Sequence, residues 1–169
     1  IKYQAIIILA LDLGCRRGEL TGLTWKDIDF ETRRVEINKI TQYAYGKILK
    51  KGTKTEHSER VNYISDTTVQ ILKKYQKQQL KQKLLLGFKW QGSKRIFTTE
   101  YGADMHPDTP TKILNQVIKK HNLKRITFHG LRHTNVTLMI SKEIQTHFFE
   151  NEFKNISNVI EEFLTLKAN

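Results

Sequence analysis

One short segment of the sequence combines side chains that could bind a phosphate group and move protons on it. His129 and Arg132 are three residues apart, so a helix would place both side chains on one side of its first turns. An arginine presents a planar fork of donors to phosphate oxygens, and an imidazole can move a proton near neutral pH. Thr127 can cap this helix, whose start would add its own attraction for an anion. The segment therefore predicts phosphate chemistry.

A metal site is a second chemistry to consider, because His129 and His133 are four residues apart and could be two ligands on one helix. The segment contains no acidic partner, and a chain with the single cysteine Cys15 has no cysteine pair to complete a tetrahedral site. The metal interpretation is therefore disfavoured. A capped helix with surface histidines is a third interpretation if the segment is taken alone.

Two further segments give this one a context. Residues 14 to 20 (GCRRGEL), followed by Leu23 and Trp25, resemble the first arginine box of tyrosine recombinases, the phage integrase family. Residues 129 to 134 (HGLRHT) resemble the second box of that family, and Lys54, ahead of a predicted strand, resembles the family's lysine on its β-hairpin. The three boxes stand in the family's order, and the resemblance covers residues 1 to about 142.

The resemblance implies a role for each matching residue. Arg16 and Arg132 would clamp the scissile phosphate and stabilise the charge that develops on its oxygens. Lys54 would protonate the departing 5′ oxygen, and His129 would assist proton transfer to and from the nucleophile. Glu19 would hold Arg16 in position. The resemblance implies no cofactor, and no divalent metal is required because two guanidinium groups supply the positive charge.

The end of the sequence departs from the family, which has a third box and then the tyrosine that attacks DNA. The six tyrosines all precede the second box. Aligning residues 154 to 157 (KNIS) with the family puts Phe153 at the third-box histidine and Phe163 at the nucleophile. Residues 145 to 150 (QTHFFE) do not resemble the family, which suggests a compensated frameshift in a decayed prophage gene. We therefore predict an integrase-like core over residues 1–142 and a divergent segment over 143–169.

Two functions follow from this resemblance and its limits. The first is site-specific DNA recombination and integration by a prophage or mobile-element integrase, through a 3′-phosphotyrosine, with the chain inactive as it stands. The alternative is a non-catalytic DNA-binding module that occupies recombination sites. A basic RNA-binding protein is a further rival, which is weakened because no aromatic-rich strand motif of single-strand binders is present.

The elements that must position these residues can be predicted from periodicity and caps. Apolar residues from Tyr3 to Leu13 predict a largely buried helix that ends at Gly14, with Cys15, Arg16 and Arg17 in a turn before a short helix near Gly18. Further helices are predicted from Asp66 as N-cap to about Gln78, from Asp108 or Thr109 onward, and from about Phe128 to Ile140.

Alternating residues predict two strands, one with Val35 and Ile37 on its buried face and one with Val61 and Tyr63 there. The lysine-rich stretch between them, which contains Gly46 and Gly52, is expected to be a basic hairpin loop, with room for a short strand inside. The fold class predicted is α+β, mainly helical with a small antiparallel sheet, similar to the integrase catalytic core.

Charge and composition bear on the partner. The formal net charge is +12, and because residues 143–169 carry −3, residues 1–142 carry +15. This excess favours an anionic partner, with nucleic acid ahead of a membrane surface. A single cysteine and the lack of a span-length apolar run predict a cytoplasmic protein that does not enter membranes. The helical opening at Ile1 suggests a preceding domain. The resemblance implies duplex DNA as partner, with a tetramer on DNA and a monomer without it.

Overall fold

The structure is a computed structural model that describes residues 1–52 and 60–142. These residues form helices and two small antiparallel sheets. The helices are α1 (Lys2–Leu13), α2 (Arg17–Gly22), α3 (Asp66–Leu86), α4 (Thr109–Lys120) and α5 (Phe128–Lys142). The strands are β1 (Ile28–Asp29), β2 (Arg34–Ile37), β3 (Lys39–Ala44), β4 (Lys47–Gly52) and β5 (Arg60–Tyr63). The predicted α+β class is confirmed, with two sheets in place of one.

Helix α1 forms the centre of the core because its sequence is apolar on nearly every side. Its buried residues run from Gln4 to Leu11 and include Leu13, and α1 contacts all four other helices. As predicted, Gly14 ends the helix, with a left-handed φ of 52°. The chain is thereby turned sharply at the point where the first arginine box begins.

Helix α2 and strand β3 pack closely because Gly18 has no side chain. A Cβ at Gly18 would lie 2.5 Å from the carbonyl oxygen of Thr41. The buried hydroxyl of Thr41 instead donates to the carbonyl of Gly18 at 3.0 Å and shares a hydrogen bond with Thr21. Strand β3 thus fixes the short helix that carries the first box. Arg17, which was expected in the turn, is the first residue of α2.

The described part of the stretch expected to be a basic hairpin loop, residues 39–52, is mostly strand and has more strand than the short one for which the prediction left room. Strands β3 and β4 pair in register from Lys39 opposite Gly52 to Ala44 opposite Lys47. A two-residue turn joins them, in which Tyr45 and Gly46 have φ values of 53° and 71°. The lysine-rich sequence of β4 does not alternate apolar and polar residues, so it gives no strand signal. The strand is stabilised by its pairing with β3.

The three-stranded sheet has the order β1-β2-β5, and its strands are antiparallel. Val35 and Ile37 of β2 are fully buried, as predicted. On β5 the predicted faces are reversed, because Val61 and Tyr63 are 41% and 66% exposed. The inward positions belong to Arg60 and Asn62, whose polar groups bond the Glu19 carboxylate and the Leu13 carbonyl. Specific polar partners on α1 and α2 therefore override the apolar pattern of this strand.

Helix α3 begins and ends differently from the prediction. Its N-cap is Ser65, whose hydroxyl accepts a hydrogen bond from the Thr68 amide, and not Asp66. The helix continues past Gln78 to Leu86. Gln79 lies in the part that the sequence did not predict, where its side chain bonds Trp25 and the Ile96 carbonyl. The predicted buried face is confirmed for Val69, Leu72 and Tyr75.

Helices α4 and α5 agree with the sequence. Helix α4 has Pro110 in its first turn and buries Ile113, Leu114 and Val117. Helix α5 begins at Phe128, and the hydroxyl of Thr127 accepts from the Gly130 amide at 2.9 Å, which confirms the predicted cap. In residues 1–52 and 60–142, none of the helices is both long and apolar enough to cross a membrane.

Candidate active site

Arg16 is the N-cap residue of α2 and is held there by Glu19. The Glu19 carboxylate accepts from the Arg16 amide at 2.8 Å and from the Arg16 guanidinium at 3.0 Å. Glu19 is 2% exposed, whereas the Arg16 side chain is 59% exposed. The carboxylate therefore bonds the backbone and one guanidinium nitrogen of Arg16, while most of this side chain stays accessible to a ligand. The predicted contact between these two residues is present.

Arg60 is a third member of this group, and sequence reasoning missed it. Its guanidinium reaches the same Glu19 carboxylate at 2.7 Å. Burial disfavours the ionised form of Glu19, but hydrogen bonds from Arg60 and Arg16 outweigh burial and hold the pKa of this carboxyl below its ordinary value. Glu19 is thus a stable anion between two cations.

Arg132 is brought to the first box by a contact across 118 residues of sequence. Its guanidinium donates to the Gly14 carbonyl at 2.8 Å. Three residues further along α5, the buried Asn135 amide donates to the carbonyls of Leu11 and Asp12 at 2.8 and 3.0 Å. These donors satisfy carbonyls at the C-terminus of α1. They therefore place the second box beside the turn that carries Arg16.

One pocket, of about 410 Å³, joins the two boxes. Arg16, His129 and Arg132 all line it, so the structure brings together three of the predicted site residues. The other lining residues are Cys15, Arg17, Thr111, Thr127 and Phe128. Three guanidinium groups and no acidic group belong to this lining set, although Asp108 pairs with Arg17 at 2.7 Å. Arg16 and Arg132 therefore make the pocket suitable for an anion.

Thr111 was also missed by sequence reasoning. Its hydroxyl oxygen is buried at the pocket and has no hydrogen-bond partner among the described residues. A threonine in the first turn of an amphipathic helix carries no sequence signal for a site. The packing of α4 against α1 and α5 brings this residue to the pocket.

Cys15 lines the pocket, but its thiol is unreactive near neutral pH. Burial raises the pKa of its thiol to about 12, and the nearby Glu19 charge adds to that effect. The thiol therefore stays protonated near neutral pH and is a poor nucleophile. The lining residue suited to proton transfer is His129.

The two histidines of α5 face each other. The rings of His129 and His133 have centroids 4.6 Å apart and meet edge to face. Within residues 1–52 and 60–142, no three His, Cys, Asp or Glu side chains cluster in a way that could hold a metal. The pair is consistent with a helix surface at the pocket rim.

Three predicted positions lie outside the described residues. Lys54 falls in residues 53–59, and Phe153 and Phe163 fall in residues 143–169. The roles assigned to these three residues, and the division of the chain near residue 142, stay predictions.

The comparisons with known proteins agree with the motifs. The model of the phage integrase family matches residues 1–158. A tyrosine recombinase XerC-like protein of Caldanaerobacter subterraneus subsp. tengcongensis is 26% identical over 155 residues, covering 85% of this chain and 40% of the relative. The integrase of Staphylococcus phage L54a is 30% identical over 160 residues, covering 85% of this chain and 43% of the relative. The chain thus spans less than half the length of these relatives.

A solved structure has the same fold. The Tn1549 transposon integrase, in complex with circular intermediate DNA, superposes with a TM-score of 0.68 at 22% identity, over 83% of this chain and 47% of that chain. At this identity the match shows the fold alone.

Proposed function

The chain belongs to the phage integrase family, and from that premise we propose that it is part of the catalytic core of a prophage or mobile-element integrase. The proposed activity is site-specific DNA recombination and integration, in which DNA strands are cut and rejoined through a 3′-phosphotyrosine. The observation that carries this proposal is the convergence of Arg16, His129 and Arg132 on one pocket.

The proposed chemistry follows from the lining of the pocket. The two guanidinium groups clamp one DNA phosphate and stabilise the negative charge that builds on its oxygens. His129 moves a proton to or from the attacking group. Lys54 protonates the departing 5′ oxygen, and Glu19 keeps Arg16 in place. Positioned cations are effective here because charge accumulates on the phosphate oxygens in the transition state.

A non-catalytic function has an observation in its favour. No tyrosine follows Tyr101 in this sequence, and the alignment puts Phe163 at the nucleophile. Phe163 also lies beyond the residues that match the family model. A phenyl ring has no oxygen to attack phosphorus, so this chain by itself would occupy recombination sites without cutting them.

The partner in either case is duplex DNA in the cytoplasm. We expect a monomer without DNA and, in line with the family resemblance, a tetramer at a recombination site. The charge of +15 on residues 1–142 supports a partner that is bound mainly through its phosphates.

Binding of a 30-base-pair duplex at several salt concentrations tests the proposal. A protein that neutralises roughly five phosphates should give a log-log slope of about −4 to −5. Fluorescence anisotropy of a labelled duplex measures this slope directly. No binding at low salt, or affinity that is independent of salt, would refute DNA as the partner.

A further inference from the structure

Glu19 is the point at which the pocket is connected to the three-stranded sheet. Its carboxylate is 2% exposed and accepts from three donor groups, the Arg16 amide, the Arg16 guanidinium and the Arg60 guanidinium. Each carboxylate oxygen bonds both arginines: Oε1 accepts from Nη1 of Arg16 at 3.0 Å and of Arg60 at 3.4 Å. Oε2 accepts from the Arg16 amide at 2.8 Å and from Nη2 of Arg60 at 2.7 Å.

The charges in this group do not cancel. One carboxylate between two guanidinium groups leaves a net charge of +1, whereas Glu19 with Arg16 alone would be neutral. A neutral pair attracts a phosphate less than an arginine that keeps its charge. With Arg60 present, Glu19 can hold Arg16 without neutralising it.

The two arginines occupy different positions around the carboxylate. Arg16 lines the pocket and is 59% exposed, whereas Arg60 is absent from the pocket lining and is 27% exposed. The backbone of Arg60 is held in the three-stranded sheet, because β5 pairs with β2 and places Arg60 opposite the buried Ile37. The pocket therefore uses Arg16 as the ligand-facing cation, and Arg60 acts on Glu19 from the sheet.

We propose that Arg60 is a positioning residue that balances the charge of Glu19, so that Arg16 is held in place yet keeps its positive charge for a DNA phosphate. This proposal rests on the proposed function, since the phosphate is that of duplex DNA. It also gives a reason why Arg60 faces inward on β5.

A mutant cycle between Arg60 and Arg16 tests this role. Arg60→Gln should weaken binding of a 30-base-pair duplex by about tenfold, because Glu19 then pairs with Arg16 alone. In the Arg16→Gln background the same change should alter binding by less than about twofold, because the residue through which Arg60 acts is gone.

Two further variants separate this effect from stability and from net charge. The double variant Glu19→Gln with Arg60→Gln should recover most of the lost affinity, since no carboxylate then neutralises the charge of Arg16. The control is the exposed pair of Arg34 and Glu36 on β2, 3.0 Å apart. Arg34→Gln, and Arg34→Gln with Glu36→Gln, make the same changes in net charge and should each stay within about twofold of the unaltered protein.

A second measurement does not depend on DNA. The Nε–H resonance of Arg16 in a ¹H–¹⁵N spectrum should move in Arg60→Gln, because the Glu19 carboxylate that Arg16 contacts then pairs with Arg16 alone. Should Arg60→Gln fail to fold, Arg60→Lys loses the two-point hydrogen bond to Glu19 but keeps the charge. Because the proposed role is charge balance, Arg60→Lys is expected to bind DNA within about threefold of the unaltered protein.

The outcomes distinguish the possibilities. Equal losses from Arg60→Gln in both backgrounds, an unmoved Arg16 resonance, or a tenfold loss in Arg60→Lys would overturn the charge-balancing role. If the unaltered protein fails to bind DNA while the Arg16 resonance responds as expected, the proposed function fails and the role of Arg60 on Arg16 is supported.

Discussion

Glu19 makes the stability of this fold depend on pH in a predictable direction. Its pKa in the folded protein is below its ordinary value of 4.5, because two arginines outweigh the effect of burial. A carboxyl with a lowered pKa stabilises the fold fully above pH 4.5, and the stabilisation disappears as the pH falls through the lower folded value. We therefore expect Glu19→Gln to cost about 2 kcal/mol near pH 7 and progressively less towards pH 3.

Urea unfolding of both proteins between pH 3 and pH 7 measures that difference. Glu31→Gln is the matched control, because Glu31 is exposed, and it should cost less than about 0.5 kcal/mol at every pH. A cost for Glu19→Gln that stays constant down to pH 3 would show that the charge of Glu19 is not what stabilises the fold.

Gly14 is required both for its left-handed backbone and for its close packing, and a comparison with Gly46 separates these two requirements. Its φ of 52° is left-handed, and a Cβ there would lie 2.5 Å from the Asn135 side chain. Gly46 has a φ of 71°, with nothing within 4 Å of a Cβ. Gly46→Ala should therefore cost only the backbone strain, about 1 kcal/mol. Gly14→Ala should cost about 1 to 3 kcal/mol more, and urea unfolding that finds equal costs would argue against the packing of α5 on α1 by Asn135.

In strand β5 the alternating pattern of apolar and polar residues predicts the strand correctly but assigns the wrong residues to its buried face. The alternation of Val61 and Tyr63 with Arg60 and Asn62 is correct as a strand signal. Which set faces inward depends on the buried Glu19 and on the Leu13 carbonyl, both far away in sequence. The same limit applies to β4, whose lysines pair with β3 without an apolar signal of their own.

The orientation of β5 leads to a paired substitution. Val35 is fully buried and Val61 is 41% exposed on the neighbouring strand. Changing valine to threonine keeps the shape and adds a hydroxyl. We expect Val35→Thr to cost about 1 to 3 kcal/mol and Val61→Thr less than about 0.5 kcal/mol. Thermal unfolding of both variants measures these costs. A larger cost for Val61→Thr than for Val35→Thr would support the buried orientation of Val61 that the sequence pattern predicted.

Helices were predicted better than strands because their signals are local. The apolar residues of α1, its C-cap Gly14, Pro110 at the start of α4 and the Thr127 cap of α5 each lie within the helix that they define or next to it. The second half of helix α3 was not predicted, because it depends on contacts that are distant in sequence. Its later turns are bonded through Gln79 to residues around Trp25 and Ile96, which no window of sequence around α3 contains.

At the scale of the whole molecule, the candidate site could be predicted only in part. The resemblance of two arginine boxes pointed to Arg16, His129 and Arg132, and the structure brings these three residues to one pocket. Thr111 and Arg60 were missed, because a hydroxyl in a helix and an arginine in a strand have no motif of their own. Each reaches the site only through tertiary contacts: Arg60 through its bonds to Glu19, and Thr111 through its place in the pocket lining.

The chain as written should form no covalent adduct with DNA. A suicide duplex, incubated with the protein and run on a denaturing gel, should give no shifted band, because Phe163 has no hydroxyl. Phe163→Tyr alone should restore little, because we expect residues 145 to 150, whose sequence predicts a departure from the family, to misplace the new hydroxyl. Repair of the whole segment from Gln145 onward should restore cleavage. Strong adduct formation by the unaltered chain would contradict this account.

The central claim is that Arg16 and Arg132 form one phosphate site, and a bound tetrahedral anion tests it most directly. Tungstate resembles a phosphate dianion and can be located in a crystal by its anomalous scattering. We predict one tungstate in the pocket, hydrogen-bonded to the guanidinium groups of both Arg16 and Arg132, with His129 beside it. Tungstate bound at other basic surfaces while this pocket stays empty would contradict the claim.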